Sequence, residues 1–164
     1  MGIVRPRAGQ RVTAGYLDSI VPTWESWTPA WTTSGSSAPS FGDAAVDCQY
    51  AQAGDVVFFT MYIVFGPSTN FGSGSDNWRF SLPVAAASAV QTVGFGEAQD
   101  ASVGGGSRLP LRARLTTTAV MELETSGGRI DNTTISGAGL IDSAMPWTWA
   151  SGDMLRAWGH YPAA

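Results

Sequence analysis

The stretch that most limits what this chain can fold into is VVFFTMYIVF at residues 56–65, apolar or aromatic throughout except for Thr60. Ten residues are too few for a membrane-spanning helix. Their β-branched and aromatic content favours a strand over a buried helix. The segment before it, AVDCQYA, alternates Val46, Cys48 and Tyr50 with Asp47 and Gln49, and Ala-Gly-Asp at 53–55 supplies a turn between the two. That combination predicts an antiparallel hairpin. A second strand apolar on both faces is expected to be central, covered on both sides by two sheets or by a sheet and a partner.

Downstream the same rhythm repeats. A polar loop, GPSTNFGSGSDN, leads into WRFSLPV, where Trp78, Phe80 and Leu82 share one face and Pro83 ends the strand or marks an edge. Further strand patterns occupy 89–99, 108–118, 119–126, 135–142 and 153–161. In LRARL the outward residues are Arg112 and Arg114, and in MELE they are Glu122 and Glu124. Pairing of these two segments through a turn near Thr117 sets arginines against glutamates across the sheet. Only 13–21 and 87–90 offer helix. The predicted class is all-β, an antiparallel β-sandwich or jelly roll.

The first 22 residues differ from this body. They hold Arg5, Arg7 and Arg11 against Asp18, whereas residues 23–164 hold six arginines against twelve acids. After Thr13, an N-cap candidate, Tyr16, Leu17 and Ile20 fall at near-helical spacing and Pro22 stops the turn. Too little is apolar here for a separate core, so the segment reads as a short N-terminal arm. Three arginines beside an acidic body suit an acidic protein partner better than nucleic acid, and no apolar span or export signal suggests a membrane. The expected organisation is an arm over 1–22, a tryptophan-rich strap over 23–43 and a β domain over 44–164. In the strap, Trp24, Trp27 and Trp31 are spaced by three and four, but Pro29 between them opposes a helix and predicts an extended segment with aromatic anchors.

Groups that do chemistry are sparse in the sequence. His160 is the only histidine and Cys48 the only cysteine, which leaves no usual zinc set. His160 alternates with Trp158 and Arg156 in a strand pattern, with no local nucleophile or orienting carboxylate. Asp76, Asp100 and Asp131 lie in loops without calcium-loop spacing, and GGGS at 104–107 lacks the lysine of a phosphate loop. Cys48 reads as a small buried residue on its strand. The reading is therefore non-enzymatic, with no cofactor and no metal. The one place where a tryptophan sits beside sugar-binding polar residues is Asp76, Asn77, Trp78 and Arg79.

The order of segments adds a resemblance. RPRAGQRVTAGYLDSIVP, then WTPAW and PSFG, the AGDVVFF hairpin, the TNFG loop, WRFSLPV and the closing PWTWASGD are similar to small virion proteins of tailed bacteriophages of actinobacteria. These are head-decoration, head-fibre or minor tail proteins. The resemblance implies a homotrimeric β domain on the virion surface, attached to the major capsid protein or another virion protein. Attachment is then expected through Arg5, Arg7, Arg11, Tyr16, Leu17 and Ile20, with Trp24, Trp27 and Trp31 at the junction of arm, body and neighbouring subunit. The alternative it implies is a minor tail or receptor-binding protein whose loops at 66–77 and 100–108 contact host cell-wall saccharide through Asp76, Asn77, Trp78 and Arg79.

Overall fold

The computed structural model describes residues 8–9, 11–15, 21–89, 91–103, 107–125 and 139–164. Among these, residues 14 and 15 are helical and Ala101–Val103 forms a 3-10 turn. Otherwise the regular structure is β-strand: β1 (Glu25–Ser26), β2 (Trp31–Thr33), β3 (Ala45–Ala53), β4 (Val56–Val64), β5 (Trp78–Ser81), β6 (Gln91–Gln99), β7 (Arg108–Leu115), β8 (Val120–Thr125) and β9 (Met154–Pro162). Every pairing is antiparallel, in the order β1-β3-β4-β9-β6-β7-β8-β5-β2. The all-β antiparallel expectation holds, with the strands joined into one curled sheet.

Local chemistry accounts for the hairpins. Gly54 and Asp55 connect β3 to β4, and Gly54 has a φ of 60°, a region open to glycine at little cost. Between β7 and β8 the Thr117 hydroxyl accepts the amides of Ala119 and Val120, both at 3.1 Å. The expected charge pairing follows: Arg112 lies opposite Glu124 with 3.1 Å between them, and Arg114 lies opposite Glu122. The last strand, β9, inserts between β4 and β6, so the centre of the sheet is completed by the end of the chain.

Closure of the sheet explains the tryptophan strap. β1 and β2 stand at opposite edges of the sheet yet are joined by residues 27–30 alone. Five residue steps span at most about 17 Å. The two edges must therefore approach, and the sheet curls around its inner face. The link is bonded on both sides: Trp27 N–H donates to the Cys48 carbonyl at 2.8 Å, and Ser81 N–H donates to the Ala30 carbonyl at 3.0 Å. Trp31 then enters the core beside Phe41, Phe65, Trp78 and Phe80, with ring centroids 4.7–6.0 Å away. The strap is thus part of the sheet and of the same core as the rest of the body.

Inward residues alternate as a half-buried sheet requires. On β4 these are Val57, Phe59, Met61 and Ile63, on β7 Leu111, Ala113 and Leu115, and on β9 Leu155, Ala157 and Tyr161. Of the two coverings expected for β4, the second sheet is corrected here: within the chain Phe58, Thr60 and Tyr62 point outward and are exposed. No helix forms at 87–89, where Ala87 N–H donates to the Pro162 carbonyl. Residue 90 lies outside the described residues. Where β6 meets β9, Gly94 faces Gly159. A methyl group added at Gly94 would strike the Trp158 carbonyl oxygen and come within 2.8 Å of the Gly159 Cα. That tight crossing, beside a bulge between Thr92 and Gly94, sets Phe95 directly opposite Trp158 on the outside.

Candidate functional site

The outer surface of β4, β9 and β6 is the feature of the described residues that asks for a functional explanation. Cross-strand register builds it in rows: Phe58 beside His160; Thr60, Trp158 and Phe95; then Tyr62, Arg156 and Glu97. Phe95 and Trp158 are directly opposed, about 5 Å apart, and Phe58 and Tyr62 are diagonal neighbours of Trp158 at about 7–8 Å, so the four aromatic side chains share one face around Trp158. Phe58 is 40%, Tyr62 37%, Phe95 59% and Trp158 51% exposed. Trp158 divides two shallow clefts. One of ≈ 330 Å³ is bounded by Thr60, Tyr62 and Arg156. The other, of ≈ 340 Å³, is bounded by Thr92, Phe95 and His160 above the paired glycines.

The charged groups on this face are engaged with one another. Arg156 donates to Glu97 at 2.8 Å and to the Met154 sulfur at 3.1 Å, and its guanidinium carbon lies 4.9 Å from the centre of the Tyr62 ring. Glu97 also faces Arg108 at 3.8 Å. Farther along, Arg79 bonds Glu122 at 2.7 Å, and Glu122 is only 2% exposed. The surface around Trp158 is consequently apolar at its centre, with these ion pairs toward β7; Asp47, opposite Tyr62, and Arg114, opposite Thr92, are charges outside those pairs.

The residues singled out in the sequence are dispersed. Arg5, Arg7, Tyr16, Leu17 and Ile20 lie outside the described residues, and Arg11 is exposed. The three tryptophans of the strap have three environments: Trp24 is exposed, Trp27 packs half-buried against the core and Trp31 is inside it. At 76–79 the expected saccharide platform is corrected. Trp78 opens β5 with the inward parity of Phe80, is buried, and donates its indole N–H to the Phe71 carbonyl at 3.2 Å. The Asp76 carboxylate accepts the Ser37 amide at 3.1 Å, Asn77 is tied to Ser34 through its backbone, and Arg79 is held by Glu122.

The PWTWASGD motif has a structural use. The buried Asp153 carboxylate accepts the amides of Ala101 and Ala150, each at 2.9 Å, and the indole N–H of Trp147 at 3.2 Å. Trp149 donates to the carbonyls of Asp142 and Met145. Asp100 caps its own turn through Ser102; Asp131 lies outside the described residues. Among the described residues no three His, Cys, Asp or Glu side chains converge. Burial pushes the Cys48 thiol up to about 11, which fits an inert core position.

Sequence reasoning placed Trp158 and His160 on one strand face but did not assemble the patch. Its signal was present in the apolar character of both faces of residues 56–65. The partners Phe95 and Trp158 come from distant segments that only the sheet order brings together. No known protein family, curated protein or solved structure matches this chain.

Proposed function

We propose that this chain is a non-enzymatic structural subunit of a phage particle, a capsid decoration or head-fibre protein held on the virion surface by its N-terminal arm. The observation that carries the reading is the aromatic face centred on Trp158, presented by a sheet on which Arg156, Arg108 and Arg112 are paired with Glu97 and Glu124. Such a surface suits a molecule that works by contact and position. In this reading the curled sheet is the projecting sandwich or jelly-roll body, copies of the chain form a homotrimer, and the basic arm meets the acidic surface of the major capsid protein or another virion protein. Several arms acting together raise attachment by avidity without a large interface for each. The order of sequence motifs supplies the link to virion proteins. The saccharide-binding tail alternative needs a surface other than 76–79, since Trp78 is in the core.

The test is to add purified full-length protein to particles that lack it, beside a variant carrying Arg5→Glu, Arg7→Glu and Arg11→Glu. The native chain is expected to sediment with particles in many copies and the variant to remain in solution. A native protein that never associates with particles, or that turns over a cell-wall glycan, contradicts the proposal.

A further inference from the structure

We infer that the outer face of β4, β9 and β6 is the surface on which this chain packs against further copies of itself, with Trp158 near the centre of the contact. This deepens the reading of an assembled subunit and takes its setting from it. Monomeric soluble proteins seldom leave a contiguous aromatic patch of this kind in water. Here four aromatic side chains are brought together by register, and Met154, Arg156 and Arg112 surround them. Aromatics, methionine and arginine are the residues enriched at protein–protein contacts, and lysine is depleted.

The dimensions fit a second copy. The three strands of the face with one flanking strand on each side, β3 and β7, cross four inter-strand spacings, about 19 Å, and from Met154 to His160 the face runs six residues, about 20 Å. With marginal side chains included, that is roughly 600 Å² of sheet, of the order of the 800 Å² that each partner buries in a standard interface. Charge points the same way. An identical surface can meet itself only if like charges do not dominate it, and here Arg156 and Arg108 face Glu97, Arg112 faces Glu124, and the two charges outside those pairs, Asp47 on the β3 side and Arg114 on the β7 side, are of opposite sign.

The experiment measures the mass of the full-length chain in solution by sedimentation equilibrium, for the native protein and for Phe95→Ser with Trp158→Ser. Both side chains point away from the core, so the fold is expected to persist, checked by far-UV circular dichroism. A second variant, Thr60→Arg, removes no core contact and sets a long, charged side chain beside Trp158 in each copy. The native chain is expected as an oligomer. Loss of two central aromatics should weaken association by about a hundredfold or more, and Thr60→Arg should also shift the mass toward a single chain. A native protein of single-chain mass overturns the inference, as does an oligomer insensitive to both changes. Glycan-array binding by a native monomer, lost in Trp158→Ser, overturns it in favour of a saccharide. A monomer that still coats particles sinks this contact and the homotrimer with it but leaves attachment to the particle standing; an oligomer that ignores particles does the reverse.

Discussion

Replacing Trp31 with alanine probes whether the strap closes the sheet or merely leads into it. Trp31 is 7% exposed and is surrounded by Phe41, Phe65, Phe71, Trp78 and Phe80. Burying an indole removes roughly 200 Å² from water, worth about 5 kcal/mol at 25 cal/mol/Å². One term opposes this. The Trp31 indole N–H is buried without an acceptor, and desolvating such a donor costs about 1–3 kcal/mol. The alanine variant escapes that cost, so the net loss should be about 2–4 kcal/mol, overlapping the range for large aromatic truncations. Trp31→Phe keeps most of the packing and discards the orphan donor, so it should lose no more than about 1.5 kcal/mol by the same terms. Urea unfolding followed by far-UV circular dichroism and by intrinsic fluorescence gives both values. A loss below about 1 kcal/mol for Trp31→Ala, too small for a packed aromatic, would refute the placement of the strap in the core. Equal losses for Ala and Phe would refute the attribution to ring packing.

Other expectations concern groups that hold the body together. Asp153→Ala strands three donors and should cost about 3 kcal/mol in thermal or urea unfolding, with Asp153→Asn intermediate because one acceptor oxygen remains. Arg79→Ala leaves the buried Glu122 carboxylate without its 2.7 Å partner and should lower stability by about 3 kcal/mol; a change within error would remove that ion pair from the account. Gly159→Ala drives a methyl group into the Val93 carbonyl, with an expected cost of about 1–3 kcal/mol read from the urea midpoint. Burial pushes the Tyr161 phenol, which donates to the Val84 carbonyl, from 10 up to about 12. Between those values the unfolded chain releases a proton that the native chain keeps, so stability is full below pH 10 and declines as pH rises toward 12. Urea midpoints that stay level from pH 9 to pH 11.5 would contradict this.

The hairpins and the class of fold were legible because they rest on local chemistry. Gly54-Asp55 marks a two-residue turn, and the alternation in LRARL and MELE fixes both the burial of Leu111 and Leu123 and the pairing of Arg112 with Glu124. The strap was half legible. Pro29 correctly excluded a helix, but three tryptophans at regular spacing carry no indication that Trp24 stays outside while Trp31 enters the core. Their fates depend on β3 and β5, which are distant in sequence. The same limit applied to Trp78: asparagine and arginine neighbours look like a binding platform until strand parity turns the ring inward with Phe80. The outer aromatic face was the least legible feature. Phe58 and Tyr62 on β4, Phe95 on β6 and Trp158 on β9 become neighbours only when β9 inserts between the other two strands.

Native-state hydrogen exchange at the strap amides tests the account most directly. The Trp27 N–H is bonded to Cys48 and the Ser81 N–H to Ala30, so these two bonds report on the link between the sheet edges. If the strap and the body are one cooperative unit, both amides should exchange only through the same opening that releases Met61 and Leu155 in the central strands. Rapid exchange of Trp27 and Ser81 while β4 and β9 remain protected would contradict the claim, and would return residues 23–33 to the status of a detachable linker.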